Sequence, residues 1–193
     1  MPNLYDSVKA DNILASCNNV SGYAGYIDGR ISKWTEGEWH RMAAKFPNAN
    51  IVRISVLANP LALTFDYEKG NASIYDIRMA IQSRLSAGLK SIIYCALKNT
   101  DYIGALFRTD ILNENIYLHI ANWINGIPTP SEIENFFKTH TGCVAWQYQS
   151  NKEYDISTID ASKFPYWNSA PTPSPVIGSM TLQNNHYSIT KEQ

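Results

Sequence analysis

Leu61-Ala62-Leu63-Thr64-Phe65-Asp66-Tyr67-Glu68-Lys69-Gly70 alternates with a period of two. As a β-strand it sends Leu61, Leu63, Phe65 and Tyr67 to one side and Ala62, Thr64, Asp66 and Glu68 to the other. One face is apolar; the other ends in two acids. At a rise of about 3.3 Å per residue, the Cα atoms of Asp66 and Glu68 lie roughly 6.5–7 Å apart on that face. Glu68 reaches one methylene further, so the two carboxylates can address one bond from different depths. Lys69-Gly70-Asn71 is a turn signal, which puts both acids at the strand's carboxyl end. In a parallel α/β barrel, active sites are built at that end.

Working outward, strand and helix signals alternate. Residues 1–19 are mixed and polar, with a short helix or turn at residues 11–15. Residues 20–28 read as a first strand whose glycines weaken it but allow close backbone approach, and Asp28 ends it. Thr35 and Glu38 form a capping-box pattern that opens a helix, and Pro47-Asn48 stops it. Residues 50–57 are a second strand and the quoted stretch a third. A helix follows over residues 73–87, with Ile74, Ile77, Ala80, Ile81 and Leu85 at helical spacing and Gly88 as its stop. Ser91-Ile92-Ile93-Tyr94-Cys95-Ala96-Leu97 is an apolar run suited to a strand buried on both faces. The pattern predicts a helix over residues 100–111, a strand over 115–123, a short helix over 131–138, and strands over 143–149 and 155–160. Such alternation implies a mostly parallel sheet covered by helices. After residue 142 helices run out while strands continue, so a closed barrel would be partly unclad. Residues 1–164 read as one barrel domain. Residues 165–193 read as a Pro-rich linker, Ser169 to Pro175, and a tail that serves for attachment or docks a strand elsewhere.

With 45% hydrophobic, 12% aromatic and 17% charged residues, the 193-residue chain suits one packed core. A net charge of −1 and scattered Lys and Arg give no field for a polyanion, which argues against nucleic acid. No apolar segment approaches the roughly 18–20 residues that span a bilayer, so no membrane partner is expected. Met1-Pro2-Asn3-Leu4-Tyr5-Asp6 lacks a basic start and an apolar run; a secretory signal is not expected there, and delivery to any outside substrate would fall to something else. Cys17, Cys95 and Cys143 are an odd number without metal-like spacing, and the latter two read as buried thiols. His40, His119, His140 and His186 show no ligand spacing, so neither a metal nor another cofactor is expected; His119, mid-strand, reads as a hydrogen-bonded interior residue. Gly-x-Ser-x-Gly, Gly-x-x-x-x-Gly-Lys and His-Glu-x-x-His are all missing from the sequence.

What remains are acids at strand ends, Asp28, Asp66, Glu68 and Asp155, with Tyr26, Tyr94, Trp123, Trp146, Gln147 and Tyr148 near the same ends. Carboxylates paired with aromatics and an amide suit glycoside hydrolysis. One acid protonates the leaving oxygen, another supports the cationic sugar, and aromatic faces stack on the rings. Mutual repulsion among four acids would keep one of them protonated, and Glu68 is the candidate.

The motifs Gly25-Tyr26-Ile27-Asp28-Gly29 with Trp34, Asp66-Tyr67-Glu68 with Gly70, Tyr94-Cys95, Ala121-Asn122-Trp123, Ala145-Trp146-Gln147-Tyr148 and Asp155-Ile156-Ser157 stand in order over roughly residues 4 to 162. Together they resemble the family 25 glycoside hydrolases, most of all their compact branch from bacteriophages and actinobacterial surface proteins. The resemblance implies an α/β fold, an incomplete (β/α)8 TIM-like barrel whose last strands lack helices. It also implies a metal-independent muramidase acting on the β-1,4 bond between N-acetylmuramic acid and N-acetylglucosamine of peptidoglycan. By position Glu68 matches the general acid. Asp66 matches the acid that serves as nucleophile or orients the substrate's N-acetyl group. Asp28 and Asp155 match acids lining the site, and Trp123 and Gln147 match sugar contacts, with Tyr26, Tyr94 and Tyr148 completing the expected substrate surface. The expected setting is a phage-encoded protein released at lysis or carried on the virion. The alternatives are a non-catalytic glycan-binding module on the same fold, tethered through residues 165–193 to a virion or surface protein, and a structural part of a larger particle.

Overall fold

A computed structural model describes residues 1–30 and 32–167, and the backbone of Thr181–Gln183 and His186–Ser188. Eight strands close a barrel in sequence order: β1 Asn3–Asp6, β2 Gly22–Tyr26, β3 Asn50–Ser55, β4 Thr64–Tyr67, β5 Ser91–Ala96, β6 Ile116–Ala121, β7 Cys143–Ser150 and β8 Asp155–Ile159. Strands β1 to β7 are successively parallel. β8 runs antiparallel to both β7 and β1 and closes the ring. Helices α1 Ala10–Ser16, α2 Glu36–Lys45, α3 Ile74–Ser86, α4 Thr100–Leu106, α5 Arg108–Leu112 and α6 Pro130–Thr139 lie between successive strands. Neither the β3–β4 nor the β7–β8 connection carries one. The chain is thus an α/β protein with a closed eight-stranded barrel and helices between its strands.

The sequence reading started the sheet at residue 20 and missed β1. Four residues are too few to show a period, and β1 is held by partners distant in sequence, Gly22 to Ala24 on one side and Asp155 to Thr158 on the other. The expected helix over 100–111 is two helices, because Phe107 (φ −117°, ψ 20°) leaves helical geometry and buries its ring. The capping box at the head of α2 is present, and a second one, Thr129 with Glu132, opens α6.

Period-two alternation sorts each strand between two cores. Phe65, Ile93, Cys95, Leu118, Ile120 and Trp146 pack outward against Ile77, Ala80 and Ile81 of α3, Ile103 of α4, Ile111 of α5, and Ile133 and Phe136 of α6. Phe136 stacks on Trp146 at 4.2 Å between ring centroids. Tyr23 packs with α1, α2 and the buried Trp34. Gly25 makes this approach feasible, since a Cβ there would lie 2.5 Å from the Trp34 ring. The opposite faces fill the barrel interior: Leu4, Ala24, Val52, Ile92, Tyr117, Ala145 and Ile159 form an apolar floor with Phe164 and Trp167. Trp167 is buried, and a Cβ on Gly22 would come within 2.3 Å of its ring. The packed unit therefore runs through Trp167 and not only to residue 164. Thr181–Gln183 and His186–Ser188 form a two-stranded antiparallel ladder; the linker read at residues 169–175 lies outside the described residues. No helix among the described residues is long and apolar enough to cross a membrane.

Candidate functional site

Above the apolar floor the barrel interior turns polar. Continuing the same inward alternation by one step brings Asp6 after Leu4, Tyr26 after Ala24, Asp66 after Thr64, Tyr94 after Ile92, His119 after Tyr117 and Gln147 after Ala145. These residues line one cleft with Ile54, Glu68, Trp123 and Asp155. The cleft opens at the carboxyl ends of the parallel strands. Asp155 belongs there although it is the first residue of β8, because β8 runs the other way and sets Asp155 directly opposite Asp6. Asp66 is likewise opposite Tyr94, and Tyr94 opposite His119, across adjacent strands.

The cleft has a buried base and an open rim. Asp6 and Asp66 are each 5% exposed, whereas Glu68 is exposed at the mouth and Trp123 is 63% exposed. Backbone bonds hold the Trp123 segment against the top of β7: Asn122 N–H donates to Gln147 O at 3.0 Å and Ile124 N–H to Tyr148 O at 2.9 Å. Trp146 Nε1–H donates to Asn122 O at 2.8 Å. The ring of Trp123 is left facing solvent at the rim. Tyr94 O–H donates to Gln147 Oε1 at 2.5 Å and also hydrogen-bonds with Glu68, so two acceptors compete for one proton. His119 Nε2 pairs with Ser157 Oγ at 2.8 Å, the interior hydrogen bond its mid-strand position suggested.

Among the described residues, no Lys or Arg lines the cleft. Burial, then the charges of Asp155, Asp66 and Glu68, pushes Asp6 well above the usual carboxylate range. Burial, then the charge of Glu68, raises Asp66 to about 7, with a hydrogen bond from Asn71 partly offsetting. Glu68 is raised by burial and then by Asp155, and its bond with Tyr94 partly offsets the rise. Burial raises Asp155 too, against hydrogen bonds from Ser150 and Gln147. Burial depresses His119 to about 3, so its ring is neutral. The expectation that Glu68 is the proton holder accordingly needs widening: the proton is held most strongly at the more deeply buried Asp6 and Asp66. Asp66 Oδ1 is also buried without a hydrogen-bond partner. No group of three His, Cys, Asp or Glu among the described residues converges to hold a metal ion.

Of the nine residues picked from the sequence, Glu68, Asp66, Tyr26, Tyr94, Trp123, Gln147 and Asp155 come together. Asp28 and Tyr148 do not. Strand β2 ends at Tyr26, and the Asp28 carboxylate accepts from Ser55 Oγ at 2.6 Å, Val56 N–H at 2.8 Å and Leu57 N–H at 3.2 Å. It fastens the loop after β3 and is no part of the cleft. Tyr148 follows Gln147 on β7, so alternation turns it outward, where it packs edge-on with Trp146 in the helix-covered core. Sequence reasoning missed Asp6; the available signal was Leu4-Tyr5-Asp6-Ser7, an alternating fragment ending in an acid. No protein-family model, curated protein or solved structure matches this chain significantly.

Proposed function

We propose that this molecule is a metal-independent peptidoglycan hydrolase of the muramidase type on an incomplete (β/α)8 barrel, acting at the bacterial wall as a phage-encoded protein. The observation that carries the reading is the convergence of Asp6, Asp66, Glu68 and Asp155 with an exposed Trp123 at the carboxyl ends of the parallel strands. Glycoside hydrolysis needs one carboxyl that keeps its proton and a second carboxyl group at the reacting carbon.

Glu68 suits the general acid. It stands at the mouth, where a polymer's linking oxygen can reach it, and partial burial, then the nearby Asp155 charge, disfavours its ionised form. Asp66, one step deeper on the same face, supports the reacting sugar. Its unpartnered Oδ1 favours accepting the N–H of a 2-acetamido group, the orienting role, over direct capture of the sugar carbon. Asp6 and Asp155 set the charge around this pair. A cavity of about 150 Å³ is well below the roughly 300–1,000 Å³ of pockets that engulf a whole ligand. A glycan strand therefore lies across the mouth, one ring against Trp123 and one substituent reaching inward.

The test is to incubate the protein, beside Glu68→Gln, with peptidoglycan of several chemotypes and to identify new reducing ends by mass spectrometry. N-acetylmuramic acid ends from the wild type alone support the assignment. Equal activity in Glu68→Gln removes Glu68 as the acid. Sedimentation with a wall that is never cut, lost in Trp123→Ala, replaces the enzyme by a glycan-binding module.

A further inference from the structure

We propose that Tyr94 and Gln147 form a hydrogen-bond switch that follows the state of Glu68: Tyr94 donates to Gln147 while Glu68 carries its proton, and turns to Glu68 once that proton has gone. The inference rests on the proposed reading of Glu68 as the general acid. It adds the positioning residue that sets how firmly Glu68 holds the proton.

Gln147 is 1% exposed on the inward face of β7, so its amide needs partners inside the fold. It has one at each end. Gln147 Oε1 accepts from Tyr94 O–H at 2.5 Å, and the side-chain N–H donates to the Asp155 carboxylate. Tyr94 in turn hydrogen-bonds with Glu68. Three contacts therefore run from Glu68, just past β4, through Tyr94 on β5 and Gln147 on β7 to Asp155 on β8. With both ends engaged, Gln147 is suited to link the acids more than to touch a sugar.

A phenol has one proton to donate, and the two acceptors of Tyr94 differ. Gln147 Oε1 is always neutral, whereas Glu68 is neutral or charged. A hydrogen bond to an ionised acceptor is roughly twice as strong as one between neutral groups, so an ionised Glu68 outcompetes the amide and a protonated one does not. Turning leaves the buried Gln147 carbonyl unpaired, which is unfavourable, so the amide pulls the phenol back. Gln147 thus makes Glu68 hold its proton more firmly, and Tyr94 eases its release. Tyr94 keeps its own proton: burial, then the charges of Glu68, Asp6, Asp66 and Asp155, holds the phenol far above the usual tyrosine range. In the proposed cycle Glu68 passes its proton to the leaving oxygen as the glycosidic bond breaks, and Tyr94 braces the resulting carboxylate. The phenol returns to Gln147 when Glu68 takes a proton from the incoming water.

The titratable groups around Glu68 in the cleft are Asp6 from β1, Tyr26 from β2, Asp66 from β4, Tyr94 from β5, His119 from β6 and Asp155 from β8. Burial and then Asp155 hold the proton on Glu68, and Tyr94 supplies the hydrogen bond that opposes them. His119 stays neutral, with its value depressed to about 3.

The experiment is an NMR titration of the full chain, isotope-labelled at its glutamate side-chain carboxyls, with the Glu68 signal identified by its loss in Glu68→Gln. Tyr94→Phe keeps the ring, which meets His119 edge-on at 5.0 Å between centroids, and removes only the hydroxyl. Glu68 is expected to bind its proton roughly tenfold more tightly in that variant. Gln147→Leu removes the competing acceptor and is expected to shift Glu68 the other way, by roughly threefold. Loss of Gln147 also leaves Asp155 short of a donor and so less charged, which loosens the Glu68 proton by a second route. The double variant separates the two: with Tyr94→Phe already present, Gln147→Leu is expected to move Glu68 by less than about half as much. An unchanged Glu68 titration in Tyr94→Phe overturns the inference, and that variant decides it alone should Gln147→Leu not fold. An equal effect of Gln147→Leu with and without the Tyr94 hydroxyl overturns it too. Wall hydrolysis is a separate readout, in which the alkaline limb of kcat/KM is expected to move up in Tyr94→Phe together with the Glu68 titration. The NMR shifts without cleavage of any wall keep the switch and sink the muramidase, and cleavage with an unmoved limb does the reverse.

Discussion

Asp28 and Asp66 looked alike in the sequence, each an acid near the end of a glycine-flanked strand, and the structure separates them by their partners. The Asp28 carboxylate accepts three hydrogen bonds from Ser55, Val56 and Leu57, so it belongs to the loop that β3 leads into. Asp66 Oδ1 has none. Asp28→Ala therefore lowers stability by about 2 kcal/mol, the usual loss when hydrogen bonds to a charged group are broken. Urea unfolding measures that loss, and on the proposed reading any wall hydrolysis per folded molecule is expected to stay at the wild-type level; a catalytic loss at unchanged stability would return Asp28 to the cleft. Gln147 and Tyr148 carry a related lesson. Adjacent strand residues face opposite ways, so only one of them can line the cleft, and strict use of the period would have removed Tyr148. The Asp66 and Glu68 pair was legible because their alternation runs unbroken into a turn.

Elements were legible where their signals are local. The capping box at Thr35 and Glu38 is written within four residues, and the helix it opens starts where it says. The same chemistry at Thr129 and Glu132 went unused in the sequence reading, although it starts the helix that holds Trp146 in place. Thr129→Ala removes a side-chain acceptor from the Glu132 N–H and is expected to lower stability by about 1 kcal/mol. Thr129→Ser retains the acceptor and most of that stability, and thermal unfolding of the two variants measures the difference. β1 had no such local signal. It becomes a strand only through ladders to β2 and β8, and the acid it carries stayed hidden with it.

At the scale of the whole molecule, barrel closure decides the electrostatics. Reversing β8 brings Asp155 beside Asp6, and the parallel order brings Asp66 and Glu68 to the same rim, so acids from three distant segments share one cleft that no Lys or Arg among the described residues lines. No local pattern encodes such a meeting, which is why the cleft could be expected from the sequence only in part. The arrangement has a thermodynamic consequence. The folded chain holds protons on Asp6 and Asp66 more tightly than the unfolded chain does, since both are raised above the ordinary value, Asp66 from 3.8 to about 7. The stability these protons contribute is full below the unfolded value and is lost as pH rises through the folded one. The slope is about 1.4 kcal/mol per pH unit for each proton difference. The unfolding midpoint is accordingly expected to fall between about pH 6.5 and pH 8, above the range where the depressed His119 adds stability as pH rises, and Asp66→Asn, which has no proton to lose there, should flatten that fall and unfold at a higher temperature than the wild type at about pH 8. A wild-type midpoint that is flat or rises over that interval would mean the acids ionise freely in the fold.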